Sequence, residues 1–446
     1  MNTGSRDTDK RDALTARQVL ITWLPLAASW LLMSFELPSI NAIVARLQNP
    51  EVNLAAYGGV VFPIALTIEA PVIMLLAAAT ALSRDWQSYK KMKRIMFWMA
   101  GILGSVHLLV ALTPLYDFIV NVLLEAPEVV VEPGRMGLLF LAPWTVAIAY
   151  RRFHQGTMIR FGHSRIVAKT ALVRLATLTV VLTVGITVRT IPGAILAGLA
   201  QGLGVSVEAA YTGWLMRKIV PEIKAAPPVE KPLTVRRFSV FYLPLALTSS
   251  LSLLFLPMIS GAVSRMPNPL ESLAVWSVVT GLFFMFRTPG LAYNEAVVAL
   301  LEERCSYPVL RRFTLLASLM TLGIATLIVA TPISQWWFST VANLAPPLVV
   351  VSRITLALGI PLTIFSLYIS FFQGIIVNLE KTGPVAEAVV VFLVVLAAIL
   401  VAGVLTELYP GVYIAAVAFS IAHLAQVIWL MLRSMRHRQT LVCEAQ

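Results

Sequence analysis

Charge is scarce in this chain. Asp, Glu, Lys and Arg together make up 13% of its 446 residues, against about 25% in an ordinary soluble domain. Cysteine is nearly absent: Cys305 and Cys443 are the only two. They show no pairing pattern and are read as free thiols on a reducing side, which excludes a disulfide scaffold. Histidine is almost as rare, with five in all and no two on one helical face at i, i+4. No His-Glu-x-x-His, no Gly-x-Ser-x-Gly, no Gly-rich loop followed by Lys-Ser/Thr and no Cys/His metal spacing occurs. The chain is therefore read as a non-enzyme with no metal site and no organic cofactor.

Hydrophobicity is what the chain has in excess, at 58% of residues and a mean hydropathy of +0.83. Each crossing of a bilayer needs roughly 20 apolar residues, and twelve such spans are expected. They cover 17–46, 54–82, 94–116, 136–160, 166–188 and 192–219, then 238–264, 271–301, 312–338, 347–378, 383–407 and 411–434. Residues 1–16 are polar, so the first span is no signal peptide. The net charge of +12 does not point to nucleic acid, because Lys and Arg gather in alternate loops. One side holds 25 of the 34 basic residues, in clusters such as Lys90–Arg94 and Lys231–Arg237, while the other holds Arg46, Arg135, Arg189 and Arg265. By the positive-inside rule both termini are expected in the cytoplasm, and the short loops suggest a prokaryotic inner membrane.

Proline reveals the internal order. Of ten prolines in the first 219 residues, seven recur in the second half. Pro25, Pro38 and Pro50 return as Pro244, Pro257 and Pro269, each 219 positions on. Pro71, Pro114, Pro143 and Pro192 return as Pro289, Pro332, Pro361 and Pro410, each 218 positions on. Six spans per repeat start and finish on the same side, so the repeats are parallel. The expected organisation is an all-α polytopic membrane protein. It has an N-terminal tail (1–16), an N-lobe (17–219), a Pro-rich linker (220–237), a C-lobe (238–434) and a C-terminal tail (435–446). Pro25, Pro38, Pro244 and Pro257, in the first span of each repeat, are candidate hinges.

Two short segments carry a family resemblance. The end of span 4 reads Arg152-Phe153-His154-Gln155-Gly156-Thr157-Met158-Ile159-Arg160-Phe161-Gly162, with Phe371-Phe372-Gln373-Gly374 at the equivalent place in span 10. This resembles the segment that closes helix 4 in the multidrug/oligosaccharidyl-lipid/polysaccharide (MOP) exporter superfamily, of MATE-like fold. The loop 83–91 lacks the Gly…Asp-Arg-x-Gly-Arg-Arg pattern of the major facilitator superfamily. Phe241–Leu247 and Pro257–Arg265 resemble the progressive-ankylosis (ANK) family of exporters. That likeness implies alternating access and export of a small anion such as pyrophosphate, citrate or a nucleotide. Other MOP members extrude cationic drugs by antiport or flip lipid-linked sugars, and both readings stay open. ATP-driven transport would need a separate subunit, so a proton or sodium ion is the candidate coupling ion. The protein is expected to act as a monomer among membrane lipids, with no nucleic-acid partner.

Ionisable side chains inside spans are costly and are functional candidates by default. Glu69 and Arg287 stand two residues before the equivalent prolines Pro71 and Pro289, so they are expected to approach across the cleft as an ion pair. Arg151 and Arg152 fall inside a span because their equivalents, Ile369 and Ser370, do; one of them is expected to face the cavity. Two guanidinium groups there would favour phosphate or carboxylate. Arg174 and Arg353 are further substrate-binding candidates. Glu36, Glu208, Glu295 and Glu387 are candidates for ion coupling, since a desolvated carboxylate can trade a proton as a cavity opens. Asn41, His107 and His423 are read as satisfied packing residues.

Overall fold

The computed structural model of the protein describes residues 14–229, 232–301, 306–378 and 383–438. Both cysteines, Lys381 and most of each terminal tail lie outside the described residues. The long helices are α1 (Ala16–Val44), α2 (Pro50–Leu82), α3 (Trp86–Leu112), α4 (Glu128–Leu141 continued by Pro143–Arg160), α5 (Arg165–Val188) and α6 (Gly193–Ala225). The second set is α7 (Val235–Ser264), α8 (Pro269–Leu300), α9 (Ser306–Ala330), α10 (Pro346–Leu358 continued by Leu362–Asn378), α11 (Gly383–Thr406) and α12 (Gly411–Arg438). Eleven of them are long and apolar enough to cross a bilayer. The remaining one, α4, carries Arg135, Arg151 and Arg152, which lower its hydropathy. Large apolar side chains such as Trp98, Val240 and Leu405 project from the outside of the bundle, as a hydrocarbon solvent requires.

Several boundaries differ from the sequence expectation. Helix α3 begins eight residues early because the Asp85 carboxylate accepts from the Ser88 N–H at 2.8 Å and caps a first turn that leads into the basic run Lys90–Arg94; Asp is a favoured N-cap. Helix α6 runs through Pro221 to Ala225, so the irregular part of the linker is shorter than its proline content suggested.

Backbone detail repeats with the prolines. The two lobes open on matched caps, Thr15 bonding Gln18 N–H and Thr234 bonding Arg237 N–H. All six described non-glycine residues with positive φ form equivalent pairs: Asn49 with Asn268, Glu125 with Asn343, Arg189 with Glu407. The step from 219 to 218 also has a physical cause. Residues 56–61 of α2 form a π-helical turn that α8 lacks, and such a bulge accommodates one extra residue in a helix. The π turns at Phe118–Leu123 and Trp337–Val341 are matched between lobes, and the register holds across them.

The first helix of each repeat serves both lobes. Helix α1 is interrupted at Phe35, three residues before Pro38, and α7 at Leu254, three before Pro257. Proline supplies no N–H to the carbonyl four residues back, so the chain can change direction there. Pro25 and Pro244 sit inside continuous helix. Before the break, each helix leans on the opposite lobe: the Trp23 indole donates to the Pro289 carbonyl at 2.9 Å, and the equivalent Tyr242 hydroxyl donates to the Pro71 carbonyl. After the break, each packs within its own lobe as well as against the other.

At the end of the bundle away from the basic loops, two equivalent arginines clasp the opposite lobe. Arg46 donates to the carbonyls of Val341 and Thr340 at 2.7 and 2.6 Å. Arg265 donates to the Leu123 carbonyl at 3.1 Å and to the Glu125 carboxylate at 2.9 Å. The carbonyl acceptors are the last of the matched π turns, which have no partner within the helix.

Candidate functional site

Inside the N-lobe lies a buried ion cluster. Arg151 on α4 donates to Glu208 on α6 at 2.9 Å, and Arg174 on α5 meets Glu36, just past the α1 break, at 2.6 Å. The Arg174 Nε is a further 3.6 Å from Glu208, joining the two pairs. Gln155 completes the group by donating to Glu208 at 3.1 Å and to the Thr170 hydroxyl at 3.0 Å. Its neighbour Gly156 lets α4 reach α2: a Cβ there would lie 2.2 Å from the Leu76 carbonyl oxygen. The Gln-Gly pair that the sequence singled out thus serves electrostatics and close packing together.

The expected Glu69–Arg287 ion pair is not formed. Glu69 is buried and feels Arg152, Arg151 and Arg174 in its own lobe, although its Oε2 accepts no hydrogen bond. Arg287 turns to α12, where it donates to His423 Nε2 at 2.8 Å. Each group is held within its lobe because burial leaves a charge little choice but its nearest partner, and the opposite charge for Glu69 lies on α4. Three carboxylates therefore face three guanidinium groups in the N-lobe. Arg287 has no such balance: no carboxylate among the described residues pairs with it.

His423, read from sequence as a packing residue, orients that arginine. Its Nδ1–H donates to the Phe419 carbonyl at 2.7 Å. A guanidinium can only donate, so Nε2 is the acceptor and the imidazole is neutral. The Phe419 ring lies 5.3 Å from the guanidinium carbon, a cation–π distance. Had the histidine in the apolar part of α12 been set against the arginine on α8, the sequence would have carried the signal. By contrast, His107 is satisfied by Thr145 and the Leu138 carbonyl, and Asn41 by both polar groups of Ser277.

Between the lobes is a cavity of about 510 Å³. Its wall includes Glu36, Tyr57 and Gln201 from the N-lobe and Arg287, Phe255 and Phe419 from the C-lobe. Glu69, Arg151, Arg152 and Arg174 stand behind the wall, so the expectation that Arg151 or Arg152 faces the cavity is corrected: α4 turns Arg151 to Glu208. Arg353 donates to Ser334 at 3.1 Å, beyond the wall. Glu295 is exposed, and Glu387 is paired with Arg433 at 2.6 Å near the basic loops. Among the described residues no group of His, Cys, Asp and Glu converges as a metal site would.

No family model matches this sequence, and no curated protein matches it. The fold does have solved relatives. An inward-facing multidrug-resistance MATE transporter of the MOP superfamily superposes with a TM-score of 0.72 at 14% identity, over 96% of this chain and all of that one. The lipid II flippase MurJ, in an inward closed conformation, gives 0.68 at 13% identity over 93% and 87%. A MOP transporter from Pyrococcus furiosus, described as having a binding pocket of reverse polarity, gives 0.64 at 16% over 95% and 98%. This chain is a polytopic membrane protein with the MATE-type fold.

Proposed function

We propose that the protein is an exporter that moves an organic anion out of the cytoplasm by alternating access, with Arg287 as the anion anchor. One observation carries this reading. Within the inter-lobe cavity the only acid on the wall among the described residues, Glu36, is held by Arg174 at 2.6 Å, while Arg287 rests on a neutral histidine and an aromatic ring. A buried guanidinium without a counter-ion is an incomplete site, and a carboxylate or phosphate completes it with charge-assisted hydrogen bonds. The likeness of Phe241–Leu247 and Pro257–Arg265 to ANK-family exporters favours the same substrate sign. The basic loops belong in the cytoplasm by the positive-inside rule. On that orientation the arginine clasps seal the outside and the conformation is inward-facing, with the breaks at Phe35 and Leu254 as hinges.

A cationic drug antiporter would need a carboxylate free to take substrate, and Glu36 is not free in this state. A proton or sodium ion remains the candidate coupling ion. The test is anion transport into proteoliposomes holding the purified protein, compared with efflux of ethidium. Anion uptake that falls at least about tenfold in Arg287→Ala supports the proposal, the loss of a hydrogen bond to a charged group being worth that much. Ethidium efflux driven by a pH gradient and indifferent to Arg287→Ala would overturn it.

A further inference from the structure

The same cavity limits which anion it can take, an inference that rests on the anion reading above. We infer that the substrate is an amphiphilic monoanion: an apolar, ring-sized body bearing one carboxylate, sulfonate or phosphate-diester group. The argument is one of charge and lining. Among the described residues the wall offers a single uncompensated positive group, Arg287, since Arg174 behind it is committed to Glu36 and near Glu208. A solute with three negative charges, such as citrate, would bury at least two of them against nothing, and an unpaired charge in an apolar medium costs many kcal/mol. Phosphate-rich anions face the same deficit.

The remaining wall is mainly apolar, with neutral polar groups at Ser34, Tyr57, Gln201, Ser252 and Thr280. Leu66, Leu256, Phe283, Phe284 and Leu291 line it beside Arg287 and Phe419. Such a surface contributes through area removed from water, at roughly 25 cal/mol per Å², which only an apolar body can exploit. Its volume of about 510 Å³ falls in the range of roughly 300–1,000 Å³ that accepts drug-sized ligands and exceeds the needs of pyrophosphate. Phe419 lies against the guanidinium at 5.3 Å, and the Arg287 Nη2 donates to His423. The anchor is thus aimed by its surroundings, with donor capacity left for one head group, and aromatic faces stand where a flat body would stack.

The experiment measures binding to the full chain in lipid nanodiscs by titration calorimetry, using naphthalene-2-sulfonate, citrate and ethidium. Binding of the sulfonate, weakened about tenfold or more by Arg287→Ala and partly restored by Arg287→Lys, is the expected result. Sulfonate binding that ignores Arg287→Ala would reject this site, and no sulfonate binding at all would reject the proposal. Arg287-dependent binding of citrate alone would overturn the amphiphile while leaving the anion reading intact. Binding of ethidium alone would remove both. A second variant, Leu66→Arg, guards against a folding defect in Arg287→Ala: by adding a positive charge to the wall it is expected to raise citrate affinity at the expense of the sulfonate. Unchanged selectivity in a folded Leu66→Arg would also reject the site.

Discussion

Equivalent positions of the two lobes fill the same space with opposite chemistry. Glu36 and Arg174 form an ion pair at 2.6 Å, while their equivalents Phe255 and Phe392 pack edge to face with ring centres 6.1 Å apart. Glu208 is answered by Gln426, Arg151 by Ile369 and Gln201 by Phe419. The scaffold evidently does not need the charges, because the C-lobe folds around rings in their place. Apolar replacement of a buried ion network is commonly neutral or stabilising. The N-lobe cluster is thus a feature that the fold tolerates. Its consequence is a cavity with a neutralised wall on one side and a lone guanidinium on the other.

The sharpest way to break the comparison is to remove Glu208. Its carboxylate is fully buried and touches both Arg151 and Arg174, so Glu208→Ala should cost about 3–5 kcal/mol by stranding two charges. Gln426→Ala at the equivalent place should cost about 1 kcal/mol, as loss of a neutral polar group does. Chemical denaturation of the purified variants measures both. Copying the C-lobe into the N-lobe, with Glu36→Phe and Arg174→Phe together, should be less damaging than either change alone. Equal costs for Glu208→Ala and Gln426→Ala would mean that the cluster carries no special electrostatic burden.

A second test concerns the axis between the lobes. Gly58 lies against its own equivalent, Ser277, and a Cβ at Gly58 would sit 2.8 Å from the Ser277 Cα. Backbone at that distance cannot yield cheaply, so Gly58→Ala should destabilise by about 1–3 kcal/mol as overpacking does. Gly101→Ala, where a Cβ meets nothing within 4 Å, is the control and should be neutral or slightly stabilising. Next in size are the clasps. Arg46→Ala and Arg265→Ala each remove an exposed cross-lobe contact worth about 1 kcal/mol or less. That should shift the balance of open and closed states by up to about fivefold, readable as thiol labelling of a cysteine placed near Thr340. A clasp that matters on one side only would show that the repeat is structural there and not mechanical.

Much of this was legible in the sequence, for reasons that separate into two kinds. The prolines located the pairs α1/α7, α2/α8, α4/α10 and α6/α12, because proline marks helix starts and interruptions in any environment. They also placed Arg151 inside a span. The π turn at 56–61 was visible as a one-residue slip but unnamed, since nothing in Ala56–Val61 distinguishes an extra residue from its neighbours. Side-chain direction was beyond the repeat. Glu69 and Arg287 are equivalent along the chain, yet one turns to α4 and the other to α12, because partners differ where the lobes have diverged. Periodicity likewise hid the start of α3, whose first turns are basic and therefore read as loop.

An effect of similar size to the clasps lies at the point where the repeat must fail, the single crossing from one lobe to the other. Asp85 caps α3 through one carboxylate oxygen, and its other oxygen accepts from the Val229 N–H of the linker at 3.3 Å. Partial burial pushes this carboxyl up, but bonds from Ser88 and Val229 outweigh that and hold it below the usual carboxylate range. Asp85→Ala should therefore cost about 1 kcal/mol near neutral pH, a typical N-cap loss. The sign of its pH dependence follows from the lowered value. A depressed carboxylate stabilises the fold fully above its unfolded value of about 3.9 and loses that contribution as the pH falls through the folded value. The gap in melting temperature between the parent and Asp85→Ala should stay constant down to that region and then close on further acidification. A gap that persists in acid would assign the effect to packing of the α2–α3 loop, because a protonated carboxyl retains its shape but not its charge.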